Sequence, residues 1–188
     1  MTAETGGGLV GLFEAVASAA ASGRGPAPVH LWNPANCGEI DLRIARDGAW
    51  FHEGSPIGRQ ALVRLFSTVL RRDDDGFWLV TPVEKLRIRV EDAPFVAIGL
   101  ERDGEAIRFA TNVGDLVEAG PEHPIRVETA DDGQPRPYVH VRGGLEALIV
   151  RPVFYELVAM AEERRGEGGD RLAVRSNGAW FDLGALGA

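Results

Sequence analysis

The segment Arg136-Pro137-Tyr138-Val139-His140-Val141-Arg142 gathers side chains that can do chemistry. Strand alternation would set Arg136, Tyr138, His140 and Arg142 on one face and Val139 and Val141 on the other. Guanidinium forks bind phosphate or carboxylate oxygens and a phenol ring can stack, so that face suits an anionic, planar ligand. The plain alternative is the solvated outer face of an antiparallel sheet. A second polar stretch runs from Thr111-Asn112-Val113-Gly114-Asp115 through Gly120-Pro121-Glu122-His123-Pro124. It reads as a loop too long for a simple hairpin, and such loops often carry function. Thr111, Asn112 and Asp115 would orient polar groups of a ligand. Alternatively Asn112 and Asp115 close local turns and His123 caps the next strand.

Other chemistries are poorly supplied. The four histidines, His30, His52, His123 and His140, show no H-x-H or H-E-x-x-H spacing, and the single Cys37 forms no cysteine cluster, so no metal centre is expected. Asp73-Asp74-Asp75 lacks the spacing of a calcium loop and reads as a solvated run. Cys37 has no neighbouring base or cation in sequence to activate it. No serine sits in a G-x-S-x-G elbow. Gly6-Gly7-Gly8-Leu9-Val10-Gly11 matches the dinucleotide-binding string, yet no strand precedes it and no βαβ unit follows. What remains for an enzyme is His123 or His140 as a general base near Asp115, without a recognisable nucleophile. No catalytic residue is therefore assigned.

Composition narrows the class further. The 188 residues carry 20 basic and 28 acidic side chains, and the net charge of −8 opposes general attraction to nucleic acid or anionic membranes. One cysteine cannot form an intramolecular disulfide, which favours a cytoplasmic protein. The apolar stretch 9–21 contains Glu14 and is shorter than the ~20 residues needed to span a bilayer, so neither a signal peptide nor an anchor is expected.

The elements that would hold these residues follow from periodicity. Residues 1–8 read as a flexible start, and Leu9, Leu12, Phe13, Val16 and Ala19 recur at helical spacing. Residues 23–39 read as a linker, with Trp32 as its anchor. Leu42 and Ile44 alternate into Asp47-Gly48, a tight turn with positive φ, and Trp50-Phe51 returns as the second strand of a hairpin. Ser55 as N-cap and Pro56 in the first turn predict a helix with an apolar face of Ile57, Ala61, Leu62, Leu65, Phe66 and Val69, its carboxyl end complemented by Arg71 and Arg72. Strands are expected over 76–81 and 84–92, the latter with Lys85, Arg87 and Arg89 as an outward basic stripe. More follow over 95–101, 105–110, 125–129, 138–142 and 147–150, giving an antiparallel meander. A helix from Pro152 ends at Arg164-Arg165-Gly166, and a last hairpin turns at Asn177-Gly178.

Gly-Ala-Trp-Phe follows an Asp or Asn turn residue twice, at Asp47-Gly48-Ala49-Trp50-Phe51 and at Asn177-Gly178-Ala179-Trp180-Phe181. Each copy follows a related helix, 14–19 and 156–161. The fold class expected is thus α+β, mostly antiparallel, with a duplicated helix-plus-hairpin unit in two lobes, residues 1–92 and 93–188. Clefts between lobes favour ligands.

Phe77-Trp78-Leu79-Val80-Thr81-Pro82-Val83-Glu84-Lys85, Val90-Glu91-Asp92-Ala93-Pro94-Phe95, Thr111-Asn112-Val113-Gly114-Asp115 and Tyr138-Val139-His140-Val141-Arg142 resemble an uncharacterised bacterial family, domain of unknown function 1285, over roughly residues 40 to 185. The resemblance implies a duplicated two-domain core whose second domain is superficially like pleckstrin-homology folds. It also implies a nucleotide-type ligand at the domain interface and a signalling role, with no accepted catalytic residue. Its segments add Thr81 to the candidates. The expected function is binding of an anionic, nucleotide-like molecule between the lobes. Lys85, Arg136, Arg142 and Arg151 would supply charge, Tyr138 and Tyr155 would stack, and Thr111, Asn112, Asp115, His123 and His140 would be the polar groups. The alternatives are a protein-interaction scaffold using sheet edges and the Trp50 or Trp180 hairpin, and a hydrolase or transferase using His123 or His140.

Overall fold

The computed structural model describes residues 9–20, 25–166 and 169–185. The expected flexible start 1–8 and the first linker residues, Gly23 and Arg24, lie outside them. The chain divides into two compact units, Met1–Glu91 and Asp92–Ala188.

Unit 1 holds helix α1 (Leu9–Ala20), strands β1 (Cys37–Ile44), β2 (Trp50–His52) and β3 (Ser55–Pro56), helix α2 (Gln60–Ser67), and strands β4 (Leu70–Asp73), β5 (Gly76–Val80) and β6 (Lys85–Val90). The strands form one sheet in the order β3-β2-β1-β6-β5-β4. Ser55 and Pro56 do not start a helix. Glu53 (φ 49°) and Gly54 (φ 77°) turn the chain back, so that Ser55 pairs with His52 and Pro56 with Phe51. The short edge position tolerates Pro56, whose missing N–H costs no ladder bond there. Helix α2 therefore starts later and buries Val63, Phe66 and Ser67, while Ala61 is exposed. Arg71 and Arg72 lie in β4 rather than at a helix end. Arg71 donates to the Val29 carbonyl at 3.0 Å and to that of Trp32 at 2.7 Å, and so ties down the linker. Leu42, Ile44, Trp50, Phe66, Val69 and Leu79 are the buried centre, joined by Leu12 and Val16 from α1.

Unit 2 holds β7 (Phe95–Asp103), β8 (Ala106–Thr111), β9 (Leu116–Glu118), β10 (Ile125–Thr129), β11 (Pro135–Arg142), β12 (Leu145–Ile149), α3 (Arg151–Ala159), β13 (Glu162–Gly166), β14 (Gly169–Ser176) and β15 (Ala179–Ala185). A six-stranded sheet runs β10-β11-β12-β7-β8-β9 and a smaller one β13-β14-β15. The loop expected between Thr111 and Pro124 is a tight turn, β9 and a second turn. Helix α3 stops at Ala159, and Arg164-Arg165 pair as strand with Arg171 and Asp170.

The middle of the chain is mostly antiparallel, but each large sheet is closed by one parallel pair, β1 with β6 and β7 with β12. In both units two three-stranded meanders are joined through their first and last strands, a repeat of whole sheets to which the second Gly-Ala-Trp-Phe hairpin, in the separate sheet β13-β14-β15, does not belong. The two Gly-Ala-Trp-Phe hairpins also turn differently. Only Gly48 (φ 83°) is positive in the first, where Ala45 accepts from Gly48 and donates to the Ala49 carbonyl across a three-residue turn. In the second, Asn177 (φ 46°) and Gly178 (φ 80°) are both positive, a two-residue turn between Ser176 and Ala179. That second turn is a docking element. Ser176, fully buried, accepts from the Ile107 N–H at 2.8 Å and donates to the Ala119 carbonyl at 2.7 Å, and Asn177 Nδ2 donates to the same carbonyl at 3.0 Å.

Candidate functional site

Strand β11 sits between β10 and β12, so both of its edges are paired and its side chains alone are available. Their order matches the alternation expected from sequence as far as His140, where the register shifts before Arg142. Contrary to the open cationic face expected, most of these groups have internal partners. Arg136 faces the Asp92 carboxylate at 3.3 Å, and Tyr138 donates its hydroxyl to the same group at 2.8 Å. Tyr138 is buried and the Arg126 guanidinium covers its ring at 4.3 Å, so it is not a stacking platform for a ligand. Burial, then the hydrogen bond to the Asp92 carboxylate, push its phenol up to about 12. Because the folded state holds the proton more tightly, the stabilisation is present below the unfolded value near ~10 and is lost as pH rises toward the folded one. Ultraviolet titration is expected to show one phenol ionising late, and Asp92→Asn to bring it earlier.

Two features of the polar stretch are structural. Thr111 is buried and its Oγ1 accepts from the Asp115 N–H at 3.0 Å; Asn112 Oδ1 accepts from the Val96 N–H at 3.0 Å and its own N–H donates to the Val96 carbonyl at 2.9 Å. Together they fix the turn that presents Asp115. Asp115 in turn receives Arg142 at 2.6 Å, with the guanidinium over the Phe95 ring at 4.9 Å and the Arg142 side chain 21% exposed.

The histidines form a distinct corner. His123 and His140 stack with ring centroids 5.7 Å apart at 26°. His123 Nδ1 lies 3.2 Å from the His140 carbonyl, and His140 Nδ1 lies 3.0 Å from that of Glu122. A carbonyl only accepts, so both rings carry their proton on Nδ1. His140 Nε2 then accepts from the Gly144 N–H at 3.3 Å. His123 Nε2 has no hydrogen-bond partner among the described residues. The main-chain bonds between Gly120 and His123, both 3.1 Å, hold the turn that carries it.

Of the remaining candidates, Arg151 and Tyr155 stand exposed on α3, with no hydrogen bond or ion pair to this corner among the described residues. Thr81 and Lys85 belong to unit 1. Thr81 Oγ1 accepts from the Glu84 N–H at 3.2 Å and closes the β5–β6 turn. Lys85 pairs with Asp73 at 2.6 Å and lies 3.9 Å over the Trp78 ring. The expected basic stripe is matched by carboxylates: Arg87 lies 3.9 Å from Asp75 and Arg89 3.6 Å from Asp41. Asp73 is correspondingly no solvated acid. Burial would raise its carboxyl, but hydrogen bonds from Arg71 and Lys85 outweigh that and hold it below the usual range. Sequence reasoning missed Asp92 as the partner of Arg136 and Tyr138. Among the described residues no group of three or more His, Cys, Asp or Glu side chains could hold a metal ion, and no helix is long and apolar enough to cross a membrane.

Two family models match most of the chain: the domain of unknown function DUF1285, N-terminal domain, matches residues 27–93, and the protein of unknown function DUF1285, C-terminal domain, matches residues 94–183. The chain belongs to the DUF1285 family. A crystal structure of a DUF1285 family protein from Silicibacter pomeroyi DSS-3 is similar with a TM-score of 0.85 and 49% identity, covering 95% of this chain and 96% of that one. A second, from Shewanella baltica OS155, has a TM-score of 0.53 and 28% identity over 64% of this chain and 91% of that one. No curated protein matches significantly. Within the DUF1285 frame the histidine corner and Arg142 fall in the C-terminal domain, Thr81 and Lys85 in the N-terminal one.

Proposed function

We propose that the DUF1285 C-terminal unit binds a small anionic, nucleotide-like ligand at the His123–His140 corner beside Arg142, and that the protein acts as a ligand-responsive regulatory module rather than an enzyme. The observation that carries this reading is the imidazole pair, in which main-chain carbonyls fix both tautomers and leave His123 Nε2 open. A neutral Nε2 is an acceptor, so it suits a hydroxyl of the ligand, while the anionic group falls to Arg142. Arg142, part-exposed, adds a fork that can be shared between Asp115 and the ligand. With Tyr138 buried, the imidazole pair rather than the phenol offers the stacking surface.

The test is thermal unfolding of the full chain against nucleotides, second messengers and organic phosphates. A ligand at 100 times its dissociation constant adds ~2.7 kcal/mol of stability. One anion class is expected to shift the transition. His123→Ala and Arg142→Ala are each expected to abolish most of the shift. A shift indifferent to both substitutions, or none from any compound, overturns the reading.

A further inference from the structure

Asn177 and Gly178 fill the two positions of the β14–β15 turn, and both are exposed although Ser176 before them is fully buried. Two observations set this pair apart from the rest of the chain. The Gly178 N–H has no hydrogen-bond partner among the described residues, because the closing bonds of a two-residue turn belong to Ser176 and Ala179. Apart from its chain neighbours, nothing lies within 4 Å of the point where a Gly178 side chain would begin. The main-chain nitrogen that follows the Asn177 carboxamide is therefore unshared and unhindered.

The other three asparagines lack this combination. Asn33 precedes Pro34, which has no N–H. Asn36 precedes Cys37, whose side chain crowds the nitrogen. Asn112 precedes the branched Val113, and both its carboxamide oxygen and its own N–H are engaged with Val96.

We infer that Asn177 is a site of spontaneous deamidation, with water as the co-reactant, and that conversion releases the β14–β15 turn from the strands it docks on. The Gly178 nitrogen gives up its proton to base and attacks Asn177 Cγ. A carbon–nitrogen bond forms, the bond to Nδ2 breaks, and Nδ2 takes a proton and leaves as ammonia. Water then opens the cyclic imide at one of its two carbonyls, which leaves aspartate or isoaspartate. The net change exchanges water for ammonia, and nothing is oxidised or reduced.

The release follows from the docking bonds. Asn177 Nδ2 donates to the Ala119 carbonyl at 3.0 Å. A carboxylate has no hydrogen to donate, so the product sets a negative group against a carbonyl oxygen. Asp47, at the matching place in the first hairpin, shows where such a group goes instead: its Oδ1 accepts from the Ala49 N–H at 3.0 Å, within its own turn. An aspartate at 177 is drawn in the same way to the Ala179 N–H and away from Ala119. Isoaspartate goes further, since it adds a carbon to the main chain of a turn whose ends are fixed by the Ser176–Ala179 pair. The bond to Ala119 also sets the rate. While it holds, the carboxamide is tethered, so conversion proceeds through moments when the turn is undocked.

The full chain, kept folded at mildly alkaline pH in water enriched in heavy oxygen, is sampled over time by peptide mapping. Label is expected at Asn177 before any other asparagine, sooner as pH rises, and sooner still in Ser176→Ala, which loosens the docking. Asn177→Asp is expected to lower the urea midpoint of unit 2 below that of Asn177→Ala, because alanine gives up the bond to Ala119 without setting a charge against it. A folded chain that stays unlabelled at Asn177 while the urea-unfolded chain converts would show that the turn protects the residue, and overturns the proposal. So does earlier conversion of Asn36 or Asn112. An Asn177→Asp chain as stable as Asn177→Ala overturns the release.

Discussion

Ser176→Ala is expected to lower the stability of unit 2 by about 2–3 kcal/mol, far more than loss of one surface hydroxyl. The hydroxyl is fully buried and both of its bonds run to the main chain of another part of the unit, the Ile107 N–H and the Ala119 carbonyl. Alanine fits the space, so no cavity term enters. What remains is a buried N–H with no acceptor, which loses its full solvation, and a carbonyl that keeps only Asn177 Nδ2. Asn177→Ala, which leaves both groups partnered through Ser176, should cost only about 0.5–1.5 kcal/mol. Trp180 is the one tryptophan of unit 2, the others being Trp32, Trp50 and Trp78, so urea unfolding followed through a protein with those three replaced by phenylalanine would isolate the transition. A loss below about 0.5 kcal/mol would show that water or a local shift serves Ile107 instead.

Trp50→Ala should cost unit 1 about 3–5 kcal/mol, because the indole is among its largest buried side chains and stacks on Phe66 with centroids 6.4 Å apart at 22°. Trp50→Phe should cost much less, about 1 kcal/mol. The indole Nε1 is buried without a hydrogen-bond partner, so phenylalanine gives up ring volume and at the same time removes an unsatisfied donor. The comparison of the two, by urea midpoint, separates packing from polarity. Equal losses in both variants would mean that Nε1 finds an acceptor in solution.

Where neighbours in sequence are neighbours in space, reading the residues works. The Asn177-Gly178 turn and the Trp50 hairpin follow from local chemistry, whereas β6 buries only Ile88 of its expected inward face and the motif Thr111–Asp115 forms a turn rather than a strand. Pairing over distance leaves no such trace. Nothing near Tyr138 or Arg136 announces Asp92, and nothing near Lys85 announces that Asp73 will neutralise it. An exposed cationic face read from alternation therefore became a set of closed ion pairs, and the candidate site contracted to the histidine corner and Arg142. Ser55-Pro56 misled for the opposite reason: its helix-start chemistry is genuine, but Glu53 and Gly54 had already committed the chain to a third strand. The two similar hairpins show the same limit, since only the second has Ser176 ahead of the turn and a strand to dock on.

The parallel joints at the centre of both large sheets bear on how the protein meets mechanical load. In each unit the first and last strands of the sheet, β1 with β6 and β7 with β12, lie side by side and run the same way. Tension drawn along the chain enters at the start of one strand and leaves at the end of its neighbour. The two strands are then pulled past each other, and the bonds between them share the force instead of opening one at a time. Since β6 leads directly into β7, the two joints stand in series along the chain, each a clamp loaded in shear.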